Sequence, residues 1–215
     1  MTNLKSHSRF DANCRQCPRL AAFLDQVSLK YPDYHARPVA PYGPAESSLL
    51  IVGLAPGMHG ANATGRPFTG DYAGILLYEA LYQFGFSNQS QSIHLNDGLQ
   101  LTDCRITNAV KCLPPDNKPV SSEVNQCNTY LMRELSDLAD GSVILALGTI
   151  AHKAVIKAMQ LRQADFHFAH NTVHQLSGKV LVDSYHCSRY NVNTKRLTTE
   201  MFHEVFKRIR TLLDE

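Results

Sequence analysis

No run of apolar residues in this sequence approaches the ~20 needed to cross a bilayer, so no helical membrane span is expected. The first ten residues, MTNLKSHSRF, lack the apolar centre of a secretory signal, and a cytoplasmic protein is the expectation. Charge imbalance is also small. With Lys+Arg 21 against Asp+Glu 19 the net charge is +2, which permits nucleic-acid contact without arguing for it. No internal repeat or low-complexity tract is present. The six cysteines have no export signal to justify disulfides, and grouped cysteines in a reducing compartment more often bind a metal or a cluster. A length of 215 residues and 44% hydrophobic content suit one globular domain over 1–215.

The stretch from Ser48 to Phe86 organises the rest. Leu49-Leu50-Ile51-Val52 has the length and β-branched character of a buried strand. Ala73, Ile75, Leu76, Leu77, Ala80 and Leu81 recur at the spacing of a helix face. Between them lies a long loop with Gly53, Gly57, Gly60, Gly65 and Gly70, interleaved with His59, Asn62, Thr64, Arg66, Phe68, Thr69 and Asp71. A long loop between firm elements is usually functional. Glycines let the backbone approach a ligand closely, while the polar groups and one aromatic supply contacts.

Three more strands are expected, over Cys104–Val110, Ser142–Leu147 and Lys179–Tyr185, with helices over about 19–30, 72–84, 121–139, 150–159 and 198–213. Ser121-Ser122-Glu123 reads as the start of the third helix, with a serine N-cap and an early acid. Strands separated by helices predict an α/β fold, three layers α/β/α around a central, mostly parallel four-stranded sheet. Ligands in such folds sit beyond the carboxyl ends of the strands. Here those ends run into the Gly53–Asp71 loop, Asn108, Gly148-Thr149 and His186–Asn191, which points to one site.

Three segments together resemble the uracil-DNA glycosylase superfamily, in its iron–sulfur family 5 (type b) branch. They are Gly53-Leu-Ala-Pro56 with His59-Gly60 and Thr64-Gly-Arg-Pro-Phe-Thr-Gly-Asp71; Thr107-Asn108-Ala-Val-Lys-Cys112-Leu-Pro-Pro115 followed by Cys127; and His186-Cys-Ser-Arg-Tyr-Asn191. The resemblance implies a 4Fe–4S cluster held by Cys14, Cys17, Cys112 and Cys127, although the same four thiolates would also suit a structural zinc. It implies hydrolysis of the N-glycosidic bond of uracil, and of other deaminated bases such as hypoxanthine, in DNA by base flipping. Phe68 is then the ring that stacks on the base and Asn108 the amide that reads its edge; core packing and a turn are their plainer alternatives. His186 would stabilise negative charge on the departing base.

Ala55 stands where the superfamily often has Asp or Asn. That leaves Asp71 as the carboxylate to orient water or balance the sugar cation, with a helix cap as the rival reading. Gly53, Ala55 and His59 complete the expected substrate contacts. Ser188, Arg189 and Asn191 are the expected phosphate contacts, joined by Arg66 unless it braces the loop instead. Ala63 and Cys187 replace an arginine and a proline common in the family. No lysine is placed to cleave the strand, so a monofunctional, monomeric enzyme on duplex DNA is expected, with single strands left open. The alternatives are an inactive iron–sulfur nucleic-acid-binding module of the same fold and a hydrolase of free nucleosides.

Overall fold

The structure, a computed structural model, describes residues 9–214. The single domain expected over 1–215 reaches past the described residues at both ends. Five strands form one sheet: β1 (Leu49–Gly53), β2 (Cys104–Asn108), β3 (Val143–Leu147), β4 (Val173–Leu176) and β5 (Lys179–Ser184). Their spatial order is β2-β1-β3-β5-β4. All neighbours are parallel except β4, which runs antiparallel to β5.

Every residue of β1 and β3 is buried, as expected of central parallel strands covered on both sides. The period-two alternation of a strand divides these side chains between two cores. Leu49 and Ile51 pack with α3 (Tyr72–Gln83) and with Phe202, Val205, Phe206 and Ile209 of α7 (Thr199–Asp214). Leu50 and Val52 pack with Leu131 and Leu135 of α4 (Ser121–Ser136) and with Ala151, Ala154 and Val155 of α5 (Thr149–Ala158). This is the expected three-layer arrangement. A smaller apolar cluster joins Leu20, Leu24 and Val27 of α1 (Pro18–Lys30) to Cys112, Leu113, Cys127 and Tyr130.

The sheet has five strands where four were expected. β4, His174 and Gln175 included, is largely half-exposed, so its sequence carries little of the apolar signal that marks a strand. It exists because Ser177-Gly178 turns the chain back onto β5, pairing Leu176 with Lys179. Two short helices were also not expected, α2 (Ala61–Thr64) and α6 (Arg189–Asn193). The third long helix does not begin with a serine cap either. Val120 occupies that position, and its amide donates to Glu123 Oε2 at 2.8 Å.

The strand order reverses at β1, which has β2 on one side and β3 on the other. Such a switch leaves a crevice outside the carboxyl ends of the strands. Among the described residues no helix is long and apolar enough to cross a membrane.

Candidate active site

A cleft of about 420 Å³ opens at that crevice, lined by Ala55, Gly57, Phe68, Asp71, Asn108 and His186, with Ser188 and Arg189 also in its wall. Three of the four expected strand ends contribute. The fourth, Gly148, lies beneath His186, whose Cβ would stand 3.4 Å from a Cβ added there.

The floor depends on an absent side chain. A Cβ on Gly53 would fall 2.4 Å from Asn108 Oδ1 and 2.6 Å from the Phe68 ring, so only glycine lets these two groups meet over the end of β1. The amides of Ala109 and Val110 donate to Gly53 and Leu54 carbonyls at 2.9 and 3.0 Å, which pins Asn108 at that place. Asn108 is buried, and among the described residues its Oδ1 has no partner. Phe68 is buried with a φ of +53°, a left-handed conformation that bulky residues rarely adopt. Its backbone is strained to hold the ring against the cleft.

Asp71 is the helix cap of the rival reading, and it also lines the cleft. As N-cap of α3 it accepts the Gly74 amide through Oδ1 at 2.9 Å. Oδ2 packs toward the glycine loop, where a Cβ on Gly60 would come within 2.6 Å of it, and the residue lines the cleft. Burial raises its carboxyl above the usual range, opposed by the amides of Gly74 and Ala73.

His186 follows β5, its ring centroid 6.2 Å from that of Phe68. Burial pushes its pKa down to about 4, so the imidazole is neutral near pH 7, and Nδ1 is buried without a partner. Asn191 Nδ2 donates to the His186 carbonyl at 2.8 Å, so Asn191 shapes the loop that carries the histidine. Ser188 Oγ caps α6. Arg189 is exposed, its guanidinium 5.2 Å from the centroid of Tyr72.

Four expected residues are not in the cleft wall: Gly53, bare beneath Asn108 and Phe68, Asn191, which holds the His186 loop, and Arg66 and His59. Arg66 is buried and directs its guanidinium inward to Thr69 Oγ1, Ser92 Oγ, the His94 carbonyl and Asp97, the last at 2.5 Å. It braces the loop, the alternative weighed against a phosphate contact. Burial opposes ionisation of Asp97, but the bond from Arg66 and the amides of Ile93 and Leu99 overcome it and hold that carboxyl well below the usual range. His59 is exposed and meets the hydroxyl of Tyr34 through Nδ1 at 2.8 Å, tying the loop to the chain just after α1.

Tyr72 and Asn117 were not anticipated in the cleft wall. Tyr72 follows the singled-out Asp71 and could have been found by adjacency. Asn117 lies in the Pro-rich loop after β2, in a left-handed conformation with φ +56°, and its sequence signal is that of a turn alone.

Cys14, Cys17, Cys112 and Cys127 line one apolar recess with Leu20, Val110 and Tyr130, and none forms a disulfide. The Lys111 amide donates to Cys127 Sγ at 3.2 Å. Burial pushes the Cys112 thiol up to about 12 and the Cys127 thiol to about 11, so both favour the neutral form until a cation joins them. Cys104 and Cys187 are each buried elsewhere in the larger core.

The sequence model of the uracil DNA glycosylase superfamily matches residues 40–210. A type-5 uracil-DNA glycosylase of Thermus thermophilus is 42% identical over 205 residues, covering 93% of this chain and 93% of that protein. One from Pyrobaculum aerophilum is 41% identical, over 91% of this chain and 87% of its own length. A type-4 uracil-DNA glycosylase of Archaeoglobus fulgidus is 30% identical over 84% of this chain and 73% of that protein. Likeness at this level, sustained across the segments that build the cleft, means that the chain belongs to the uracil-DNA glycosylase superfamily, alongside its type-5 members.

Proposed function

We propose that this chain is a monofunctional DNA repair glycosylase that flips uracil out of DNA and hydrolyses its N-glycosidic bond, leaving an abasic site. The observation that carries the reading is a pair of buried polar atoms without partners, Asn108 Oδ1 and His186 Nδ1, on two residues that line one cleft. Such groups cost stability unless a ligand satisfies them. A uracil edge, with one N–H and two carbonyl oxygens, is a ligand that can.

Phe68 stacks on the base and Asn108 takes its edge through both amide functions. As the bond from the sugar to the base breaks, its electrons go to the base and positive charge grows on the sugar. The His186 imidazole, neutral in this site, donates a hydrogen bond to the base carbonyl oxygen where that charge collects. Asp71 faces the sugar cation and accepts a proton from the water that adds to it, while the departing base takes up a proton from solvent. Ser188 and Arg189 at the rim contact phosphates flanking the flipped nucleotide. Few charged groups line the cleft, which suits hypoxanthine and other deaminated bases as further substrates.

The four thiols that line one recess suit a 4Fe–4S centre, which Cys thiolates hold, and would also suit a structural zinc. When bound, such a centre would cross-link chain segments and needs no redox step. It would join the segment before α1 to the loop after β2, and Lys111 extends that link by donating from Nζ to the Asn108 carbonyl at 2.9 Å. Free thiols and a DNA substrate both suit a reducing cytoplasm.

The deciding experiment measures base release from a uracil-containing duplex and from free deoxyuridine, with wild type beside Asn108→Ala and His186→Ala. Release from the duplex that falls at least a hundredfold in both variants supports the reading. Equal release from the nucleoside would make the chain a nucleoside hydrolase, and DNA binding without release would make it a binding module. The last is not favoured, because the relatives it matches along nearly their whole length are glycosylases.

A further inference from the structure

On the outer half of the sheet, away from the residues that line the cleft, three metal-ligating side chains meet. They are His152 on α5, His174 on the edge strand β4 and Asp183 on β5. Asp183 is fully buried and His152 nearly so, while the His174 side chain keeps 12% of its surface exposed. His152 Nδ1 stands 2.9 Å from Asp183 Oδ1, and His174 Nε2 stands 3.1 Å from Asp183 Oδ2. All three ligating atoms lie within 4.8 Å of one another.

The hydrogen-bond arithmetic at His152 is unbalanced. Its Nε2 is 3.0 Å from the carbonyl of Phe166, which can only accept, so Nε2 carries a proton. A neutral imidazole then has a lone pair on Nδ1, and this faces a carboxylate oxygen. Two acceptors at 2.9 Å repel unless a positive charge sits between them. That charge is either a second proton or a metal ion.

We propose that the His152–His174–Asp183 cluster is a binding site for zinc or a similar divalent cation, separate from the cysteine centre and from the cleft. Two imidazoles and one carboxylate are a donor set that suits zinc, with bonds of ~2.0–2.2 Å and a fourth position left to water. The exposed fringe of His174 gives that water its opening. The bond from His152 Nε2 to a backbone carbonyl is the outer contact that fixes the tautomer of a ligating histidine. Phe166 and Phe168 stand edge-on to the two rings, their centroids 5.8 Å from His174 and 5.7 Å from His152, and supply an apolar shell. An ion here would clasp the β4–β5 hairpin to α5. Its role is structural.

The test takes untagged, full-length protein with its iron content measured, equilibrates it with zinc chloride and removes unbound metal. One zinc per chain is expected in wild type and at least a tenfold loss in His174→Ala, with iron content equal in both. Zinc-edge X-ray absorption on the wild type keeps the test valid should the variant fold poorly. A shell of nitrogen and oxygen at ~2.0–2.2 Å with imidazole scattering supports the site. Sulfur at ~2.3 Å, no retained zinc, or equal zinc in the variant overturns it and leaves a proton between His152 and Asp183.

Discussion

The glycine loop between β1 and α3 feeds two buried polar regions that differ in one respect. Under the loop, Arg66 finds partners for its guanidinium in Thr69, Ser92, His94 and Asp97, and Asp97 also accepts amides from Ile93 and Leu99. Above it, in the cleft, Asn108 Oδ1 and His186 Nδ1 have none. Both regions place polar groups where burial is costly. The satisfied one holds the loop in shape; the unsatisfied one carries the proposal that a substrate completes it. An arginine in the midst of a family motif and a histidine after a strand look equally functional as letters. Partner bookkeeping separates them.

Substitutions should therefore split cleanly between stability and rate. The largest effect on folding is expected from Arg66→Met, which leaves Asp97 charged and buried without its cation. Breaking such a pair costs about 3–5 kcal/mol, read as a shift in the urea midpoint, and excision per folded molecule should change far less.

His186→Ala is the converse. Single-turnover excision should fall about 10²–10³-fold, as for removal of one donor at a developing oxyanion, with the midpoint at pH 7 nearly unchanged. Its pH dependence sharpens the contrast. The folded pKa near 4 lies below the ordinary 6.5, so the unfolded chain binds more protons between those values. Wild type therefore loses stability as pH falls from 6.5 toward 4, by about 1–2 kcal/mol at pH 5, and His186→Ala should lose correspondingly less.

Asp71 both caps α3 and lines the cleft, and two variants separate its parts. Asp71→Asn keeps an oxygen for the Gly74 amide and should lose rate with little loss of stability. Asp71→Ala should lose the same rate and about 1 kcal/mol more in thermal or urea unfolding. Equal activity in wild type and Asp71→Asn would reduce the residue to a helix cap.

The smallest effect is expected at the rim. Arg189→Ala should raise KM a few-fold, leave kcat intact, and lower the slope of binding against log salt by about one counterion. A change in kcat instead would place Arg189 among the reacting groups.

Much of the architecture was legible because it rests on local pattern. Leu49–Val52 and Val143–Leu147 are apolar on both faces, which only a covered parallel strand requires, and the three-four spacing in Tyr72–Gln83 needs no partner to be read. β4 was not legible, because its existence depends on pairing with β5 and not on its own composition. The cleft residues Asn108, Phe68, Asp71 and His186 were found through motif resemblance and strand ends, and the structure brings these four into one wall.

By itself the sequence determined the layers, the elements that carry the site and the family to which the chain belongs, since periodicity and motif are properties of neighbours along the chain. Only the tertiary structure decided that Arg66 turns inward, that Gly53 must be bare for Asn108 and Phe68 to meet, and that His152, His174 and Asp183 converge. Each of these depends on distances between residues remote in sequence, and burial and hydrogen bonding are settled by such distances.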